Sequence, residues 1–223
     1  MKKTAIILGA SGLTGSLLLD KLLEDDRYES VKLFSRKAIQ KEHSKIQVFV
    51  GNLLNLNKFS SDFNADEVYC CIGTTTKKTP DKTLYRDIDF GIPVSAVKLA
   101  KENCIHTFLV VSALGANPKS NIFYNKTKGE MEETVLAENI PNTYILRPSF
   151  IGGDRKESRI FEKIGLVVFK IIQPLFIGRF KKYRIIEAKS IAQAMINLAN
   201  TKPANKQIIL SDAIQEIAEE TVL

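Results

Sequence analysis

The sequence is poor in the residue types that build disulfide frameworks and metal centres. It has three cysteines, Cys70, Cys71 and Cys104, and two histidines among 223 residues. The cysteines have neither the spacing of a disulfide scaffold nor that of metal ligands, and Cys70 and Cys71 are adjacent within an apolar run that suits buried thiols. This composition argues against a disulfide-stapled secreted domain. It predicts a cytoplasmic protein with no metal site.

Long uninterrupted apolar runs are also missing. The N-terminal MKKTAIILGA has the basic start of a signal peptide, but its apolar run stops at Leu8 before a glycine and is better interpreted as a first β-strand. The most apolar later stretch, residues 164–178, is interrupted by Lys170 and Pro174 and is too short to span a bilayer. We therefore expect no transmembrane segment. The apolar and basic segment 157–184 could be a pocket lid, a subunit interface or a membrane-touching patch, with the lid favoured.

Basic residues exceed acidic ones, with a formal net charge of +7 and a pI of about 9.2. They occur as short scattered groups such as Lys77–Lys78 and Lys181–Lys182, without a long basic run interleaved with aromatics. This pattern does not indicate a nucleic-acid surface. A phosphorylated small-molecule cofactor would also favour this charge balance.

Short apolar runs alternate with helical patterns along the chain, which is typical of a parallel sheet buried on both faces. We find no repeat and no linker. The sequence therefore predicts an α/β fold with a Rossmann-type, doubly wound and mainly parallel sheet, as a single domain over residues 1–223. Within it, residues 149–206 are expected to contribute a small substrate-side cap. The predicted strands are Ala5–Leu8, Val31–Phe34, Ile46–Val50, Val68–Ile72, Phe108–Val111, Tyr144–Leu146 and Ile208–Leu210.

Four helices are predicted between and after these strands. Three cover Leu13–Glu24, Pro93–Glu102 and Phe123–Glu138. The fourth is expected to start at Ser190, where Ser-x-x-Gln forms a capping-box pattern ahead of an apolar-periodic stretch. Proline at position 93 suits a first helical turn, where its missing N–H costs nothing.

A glycine-rich loop, GASGLTG, joins the first strand to the first helix. Gly9 permits a tight turn, Gly12 allows a pyrophosphate to approach the backbone, and Gly15 allows helix and strand to pack closely. A diphosphate at this place is stabilised by the free N–H groups of the helix N-terminus. No Gly-Lys-Ser/Thr follows, so the loop is not a P-loop. The alternative is a tight turn with no ligand.

The second strand ends in Ser35, Arg36 and Lys37, where an NAD-preferring site usually carries an acidic residue. A planar Arg can bond a 2′-phosphate and stack on adenine. The residues therefore predict NADP(H) rather than NAD(H), against the alternative of a solvated charge pair.

Candidate catalytic residues follow the fifth strand. Ser112 closes that strand at the carboxyl edge, and Tyr124 and Lys128 are four residues apart, so they share one face of a helix. A nearby ammonium favours the phenolate, which we expect to lower the pKa of the phenol toward usable values. Tyr124 would donate the proton to a carbonyl oxygen that Ser112 orients, and Lys128 would assist both Tyr124 and the cofactor ribose. Asp87 and Asp89 precede a helix, and an N-terminal capping role competes with a role near the site.

The motifs ILGASGLTG, CCIGTT, SALGA, NIFYNKTKGE and RPSFIGG together resemble the short-chain dehydrogenase/reductase superfamily, and within it the atypical branch of HIV Tat-interacting-protein relatives. The resemblance implies a Rossmann fold that binds NADP(H), with Tyr124 as proton donor and Lys128 as its helper. It covers Ala5 to about Arg159 well and is looser beyond. The cofactor contacts expected from the residues and the resemblance are Gly9, Ser11, Gly12, Leu13, Thr14, Gly15, Arg36, Lys37, Ile72, Gly73, Tyr124, Lys128, Ile151 and Arg159.

Three functions agree with this pattern. The first is an NADP(H)-dependent oxidoreductase that transfers hydride to or from a small carbonyl or alcohol. The second is a non-catalytic NADP(H)-binding regulator or sensor, because members of this branch also bind protein partners. The third is an isomerase related to nucleotide-sugar epimerases. A homodimer or a protein partner is compatible with all three.

Overall fold

The computed structural model describes residues 2–152, 177–201 and 207–220. Within these ranges the chain forms nine strands: β1 (Lys3–Leu8), β2 (Tyr28–Ser35), β3 (Ile46–Val50), β4 (Glu67–Cys70), β5 (Thr107–Val111), β6 (Asn142–Arg147), β7 (Ile151–Gly152), β8 (Ile186–Glu187) and β9 (Ile208–Leu210). The described α-helices are α1 (Leu13–Glu24), α2 (Lys82–Arg86), α3 (Ile92–Glu102), α4 (Phe123–Ala137), α5 (Ala188–Asn200) and α6 (Ser211–Glu219). Short 3₁₀ helices cover Leu53–Phe59 and Gly178–Tyr183, and a π-helical turn, Asp87–Gly91, joins α2 to α3.

The main sheet has seven strands in the spatial order β3-β2-β1-β4-β5-β6-β9, and every neighbouring pair is parallel. The order reverses direction between β1 and β4, so the connections on either side of this point diverge. Ligands of doubly wound folds bind in the crevice at such a switch point, outside the carboxyl ends of the strands. The predicted Rossmann-type α/β fold is confirmed.

Both faces of the sheet are covered, which explains the continuous apolar run of β1. Ala5 and Ile7 pack into the cluster formed with α1, α5 and α6, whereas Ile6 and Leu8 pack into the cluster formed with α3 and α4. All four side chains have no exposed surface. Because successive strand residues point to opposite faces, a strand between two helical layers needs an apolar residue at every position.

Most predicted elements lie where the sequence placed them. The predicted bounds of α1 and β3 match the observed ones, Pro93 lies in the first turn of α3, and β4 ends at Cys70 rather than at Ile72. The prediction that a capping box at Ser190 starts the fourth helix is wrong. Helix α5 begins two residues earlier, at Ala188, and Ser190 is buried inside it. Tertiary packing of the α5 apolar face outweighs the local capping signal there.

The predicted cap over residues 149–206 is described only in part. Its helix α5 packs in the same apolar cluster as α1, so this portion belongs to the layer that covers the sheet. Near the carboxyl edge, β7 and β8 pair as a separate two-stranded parallel sheet. Most of the segment 157–184 lies outside the described residues. No helix in the described ranges is long and apolar enough to cross a membrane.

Candidate functional site at the carboxyl edge of the sheet

The glycine loop lies tightly against its neighbours at the switch point. Gly9 has φ of +89°, and a Cβ added there would lie 2.8 Å from the carbonyl oxygen of Cys71. A Cβ at Gly15 would lie 2.1 Å from the carbonyl oxygen of Gly9, so α1 approaches the end of β1 more closely than any other residue allows. The two outer glycines are therefore required by the backbone itself. This agrees with the roles that the spacing predicts for them.

The first turn of α1 presents unused donors. Gly12 is the N-cap residue and no side chain caps the helix. The amides of Leu13, Thr14 and Gly15 precede the first intrahelical bond, which runs from Ser16 N–H to the Gly12 carbonyl (2.9 Å). Ser11 is exposed beside this turn. Uncapped amides together with the helix dipole make a binding place for a diphosphate, so the loop fits the predicted ligand.

The end of β2 carries the two predicted cations on the same edge. Arg36 and Lys37 are exposed, and neither side chain forms an ion pair or hydrogen bond with any described residue. The hydroxyl of Ser35 instead donates to the backbone carbonyl of Lys37 (2.6 Å), which fixes the turn that presents both cations. The two side chains are therefore available for an anionic ligand.

The residues that follow β4 lie between the glycine loop and the predicted catalytic residues. The added Cβ at Gly9 would lie 3.1 Å from the backbone nitrogen of Ile72, so the predicted cofactor residues of β1 and β4 are adjacent. Gly73 comes next and is exposed. A Cβ on Gly73 would lie 3.6 Å from Oδ1 of Asp89 and 4.0 Å from Nζ of Lys128. This turn thus connects the dinucleotide loop with the predicted Tyr–Lys pair.

Tyr124, Lys128 and Asp89 form a group that we name the carboxyl-edge cluster. Tyr124 and Lys128 lie one turn apart on α4, and Asp89 comes from the π-helical turn before α3. Nζ of Lys128 lies 2.9 Å from Oδ1 of Asp89, with the two side chains 4 % and 1 % exposed. Oδ2 of Asp89 accepts the Thr74 N–H (2.7 Å). Asp89 is therefore part of the site and not a helix cap.

The ion pair leaves hydrogen-bonding capacity unused. Oδ1 of Asp89 is buried and contacts Lys128, and Lys128 makes no other polar contact with the described residues, so two of its three donors are unused. The hydroxyl of Tyr124 also has no hydrogen-bond partner among the described residues, and 37 % of the residue is exposed. Buried donors without acceptors are costly, so this cluster is suited to a polar ligand that supplies them.

The expected lowering of the Tyr124 pKa is wrong. Burial raises the pKa of Tyr124 above its ordinary value, the Lys128 ammonium lowers it, and the Asp89 carboxylate raises it again. The net direction is upward, because burial is the largest effect and Asp89 further opposes the cation on which the expectation depended. Burial is the largest single effect and lowers the pKa of Lys128, but the charge and hydrogen bond of Asp89 together with Tyr124 and Cys70 raise that pKa overall. At neutral pH the site therefore holds a protonated phenol and a charged ammonium.

Ser112 lies in a different group from the one predicted. Its hydroxyl donates to Oε1 of Glu132 on α4, and Nε of Arg147 on β6 donates to both oxygens of the same carboxylate (3.0 and 3.1 Å). Ser112 and Glu132 are 5 % and 2 % exposed. No hydrogen bond connects Ser112 with Tyr124 or Lys128 in the described part of the chain. Its predicted role at the substrate oxygen stays a prediction without support from this geometry.

The remaining predicted contacts lie beyond β6. Ile151 is half-buried on β7 and packs against the cluster beneath α1 and α5. Arg159 lies outside the described residues. Within the described ranges, no group of three His, Cys, Asp or Glu side chains is placed to hold a metal ion.

Sequence reasoning missed Glu132 and Arg147 and left the role of Asp89 undecided. A signal for Glu132 was present, because Tyr124, Lys128 and Glu132 repeat at intervals of four and so form one stripe along α4. The partners of this stripe come from β6 and from the turn before α3. Their positions depend on the sheet order.

The carboxyl edge, its glycine loop and its uncapped helix define a Rossmann-type nucleotide-binding protein. Residues 9–166 match the family model described as NAD(P)H-binding. The chain belongs to this NAD(P)H-binding family, and the resemblance indicated by its motifs is confirmed.

Relatives and solved structures agree with this assignment. The chain is similar to "Protein FMP52, mitochondrial" of Meyerozyma guilliermondii, with 35 % identity over 73 % of this chain and 71 % of that protein. It is also similar to Protein HTATIP2 of Rattus norvegicus, with 25 % identity over 98 % of this chain and 90 % of that protein. A crystal structure of UDP-glucuronic acid 4-epimerase from Bacillus cereus with NAD has 15 % identity and a TM-score of 0.67, covering 92 % and 76 % of the two chains. This last likeness shows the fold alone.

Proposed function

We propose that the protein is an NADP(H)-dependent oxidoreductase that reduces a small carbonyl compound. The observation that carries this proposal is the carboxyl-edge cluster, in which a protonated, solvent-accessible phenol lies next to a buried ammonium at the turn that adjoins the glycine loop. A binding module needs the loop but has no need of this phenol. The bound reduced nicotinamide would supply the hydride.

The residues of the chain supply everything else that a carbonyl reduction needs. The first-turn amides of α1 would hold the diphosphate. The unused donors of Lys128 would bond hydroxyl groups of the cofactor ribose. As the carbonyl carbon accepts hydride, its oxygen takes the proton of the Tyr124 hydroxyl and becomes the alcohol. The phenolate then regains a proton from solvent, to which Tyr124 is open.

The preference for NADP(H) is proposed from Arg36 and Lys37. Two exposed cations without protein partners at the end of β2 suit a 2′-phosphate, and no acidic residue stands at positions 35–37 to bind a ribose hydroxyl. In fluorescence titrations we expect NADPH to bind more tightly than NADH. Replacing Arg36 with Ala should weaken NADPH binding about 10- to 100-fold, the loss expected for a charge-assisted bond, and leave NADH unchanged.

The matched control for this experiment is Lys41→Ala, which removes a cation from the same loop. Lys41 pairs with Asp20 on α1, so its loss should leave the affinity for both nucleotides within about twofold. Equal affinity of the wild-type protein for NADPH and NADH would remove the phosphate-site proposal.

Turnover is tested by screening carbonyl compounds for NADPH oxidation. Tyr124→Phe should lower kcat about 10²- to 10⁴-fold, the usual contribution of a general acid, while NADPH affinity changes little. Full activity of this variant would exclude Tyr124 as the proton donor. A wild-type protein that binds NADPH but reduces nothing in a broad screen would favour the regulator or sensor instead.

An epimerase-type isomerase is the remaining alternative, and it is separated by the cofactor balance. An isomerase returns its nicotinamide to the starting state in each turnover, so it would convert a nucleotide-linked sugar without net NADPH consumption. The expected cytoplasmic location is a separate proposal, to be checked by cell fractionation.

A further inference from the structure

Asp89 occupies a position that the proposed reaction does not by itself require. It is 1 % exposed, touches Lys128 with one oxygen and accepts the Thr74 N–H with the other. The Gly73–Thr74 turn therefore connects to α4 through one carboxylate. Thr74 in turn exchanges a hydroxyl hydrogen bond with Thr79 (2.9 Å), which ties the following loop to the same point.

We propose that Asp89 is the positioning residue of this site: it holds Lys128 against the Gly73–Thr74 turn and opposes its charge, so that Tyr124 keeps the proton that a carbonyl reduction consumes up to a higher pH. The consequence for reduction rests on the proposed function. The placement of Lys128 and the charge balance do not, because both are properties of the protein without nucleotide.

The geometry supports the first half of this proposal. A lysine side chain has many rotamers, and the 4 % exposure of Lys128 means that its ammonium has left water. A buried ammonium is tolerated when an acid pairs with it, and Asp89 is the acid in contact. The contact with Asp89 uses one of the three N–H donors of the ammonium, so Lys128 is held in place while two donors stay available to a ligand.

The charges around Tyr124 support the second half. Three groups interact with Tyr124: Lys128 from α4, Asp89 from the π-helical turn and the phenol of Tyr85 from α2. The pKa of Tyr85 is raised chiefly by burial and also by Asp89 and Tyr124. Cys70 at the end of β4 interacts with Lys128 and Asp89, and burial raises its pKa to about 11. Tyr85 and Cys70 are therefore neutral at physiological pH. Among the described residues, the net charge beside Tyr124 is the sum of one cation, Lys128, and one anion, Asp89.

The test measures the ionisation of Tyr124 directly, without nucleotide or substrate. Protein labelled with [ζ-¹³C]tyrosine is titrated by NMR, and the signal of Tyr124 is assigned by its loss in Tyr124→Phe. Four proteins are compared: wild type, Asp89→Asn, Lys128→Met and the double variant. The isosteric Asn can still accept the Thr74 N–H, so Asp89→Asn removes the charge and keeps the tie to the turn.

The expected result is a pattern of three shifts. Asp89→Asn leaves the cation unopposed and should lower the apparent pKa of Tyr124 by about one unit or more, whereas Lys128→Met should raise it. The double variant has no net charge at this place and should titrate close to wild type. Asp87→Asn is the matched control, because it makes the same change on an exposed residue of the same turn and should leave the titration unchanged.

The pattern also covers the case in which one variant fails to fold. Asp89→Asn leaves a buried ammonium unpaired, which is destabilising. If Asp89→Asn does not fold, the other two variants test the same charge balance: the apparent pKa of Tyr124 should rise in Lys128→Met and should be close to the wild-type value in the double variant. In an active enzyme, Asp89→Asn should also move the alkaline loss of NADPH oxidation to lower pH.

The inference and the proposed function fail in different experiments. Identical titration of Tyr124 in all folded variants would overturn the role of Asp89, even in an active reductase. Absence of NADPH binding and of turnover in wild type would overturn the proposed function, while the titration pattern would still stand.

Discussion

The amino edge and the carboxyl edge of the main sheet each carry a cluster of an acid, a lysine and tyrosine. The two clusters differ in how completely their polar groups are hydrogen-bonded. At the amino edge, Glu67 is 2 % exposed and forms an ion pair with Lys3 (2.6 Å). Its Oε2 accepts the hydroxyls of Tyr28 and Tyr69 (2.7 and 2.5 Å), and Asn200 at the end of α5 donates to Tyr28 (2.7 Å). We name these five residues the amino-edge cluster.

The difference between the clusters lies in what is left unsatisfied. In the amino-edge cluster both phenols are fully buried and hydrogen-bonded, and the lysine also donates to the Asn200 side chain (2.9 Å). In the carboxyl-edge cluster Tyr124 is open and has no hydrogen-bond partner among the described residues, and the Lys128 ammonium contacts a single acceptor among them, Asp89. A saturated network stabilises the fold, whereas unused donors next to solvent are available to a ligand. We therefore expect similar residue types to serve stability at the amino edge and the proposed chemistry at the carboxyl edge.

The largest effect on stability is expected from Glu67→Gln in the amino-edge cluster. The change removes the charge that pairs with Lys3 and weakens the acceptor of two buried phenols, so we expect a loss of about 2–4 kcal/mol. Urea denaturation measures the free energy of unfolding, with Glu29→Gln, an exposed acid on β2, as control. NADPH affinity of the folded protein should not change. A loss below about 0.5 kcal/mol, or a weakened NADPH affinity, would contradict the division between the clusters.

Removing a phenol hydroxyl from each cluster should have smaller effects on stability. We expect the amino-edge variant to lose stability and keep turnover, and the carboxyl-edge variant to lose turnover and keep stability. Tyr69→Phe deletes hydrogen bonds to Glu67 and Tyr28 and should cost about 1–2 kcal/mol of stability without affecting turnover. Tyr124→Phe deletes a hydroxyl that has no partner in the described structure and should change stability by less than about 0.5 kcal/mol, while it abolishes most turnover. Denaturation and NADPH oxidation are measured on both variants. Equal stability losses would show that Tyr124 has a structural partner.

The smallest effect concerns alkaline pH. Burial, and next the charge of Glu67, raise the pKa of Tyr69 well above its ordinary value. The folded state therefore keeps a proton that the unfolded chain releases near pH 10, so the stability is fully present below that pH and decreases as the pH rises above it. One such tyrosine costs about 0.8 kcal/mol by pH 10.5. Unfolding free energies at pH 8.5 and 10.5 should therefore fall less in Tyr69→Phe than in wild type, and an equal fall would contradict this prediction.

The fold and the position of the candidate site could be predicted because their signals are local. Continuous apolar runs such as that of β1 identify buried parallel strands, and the glycine spacing with the strand before it and the helix after it identifies the loop. The four-residue interval between Tyr124 and Lys128 places both on one face of α4. Each of these inferences needs only neighbouring residues.

The rest depends on tertiary contacts. Asp89 contacts Lys128 because the π-helical turn packs on α4, and no local sequence pattern predicts that contact. The direction of Ser112 follows from the alternation of β5: Phe108 and Val110 face the cluster formed with α3 and α4, so Ser112 points to α4 as well and meets Glu132. The sequence shows that Phe108, Val110 and Ser112 share one face of β5. It does not show that α4 covers this face, so the contact between Ser112 and Glu132 could not be predicted. The expectation for the Tyr124 pKa was wrong for the same reason, since both the burial that raises this pKa and the acid that opposes Lys128 depend on residues from elsewhere in the chain.

The central claim is that a nicotinamide dinucleotide binds across the glycine loop with its reactive ring near Tyr124. A crystal structure of the protein grown with NADPH tests it most directly. We expect a diphosphate on the first-turn amides of α1, the 2′-phosphate near Arg36 and the nicotinamide beside Tyr124 and Lys128. A nucleotide bound elsewhere, or a loop whose amides stay capped by the protein's own groups in saturating NADPH, would contradict it.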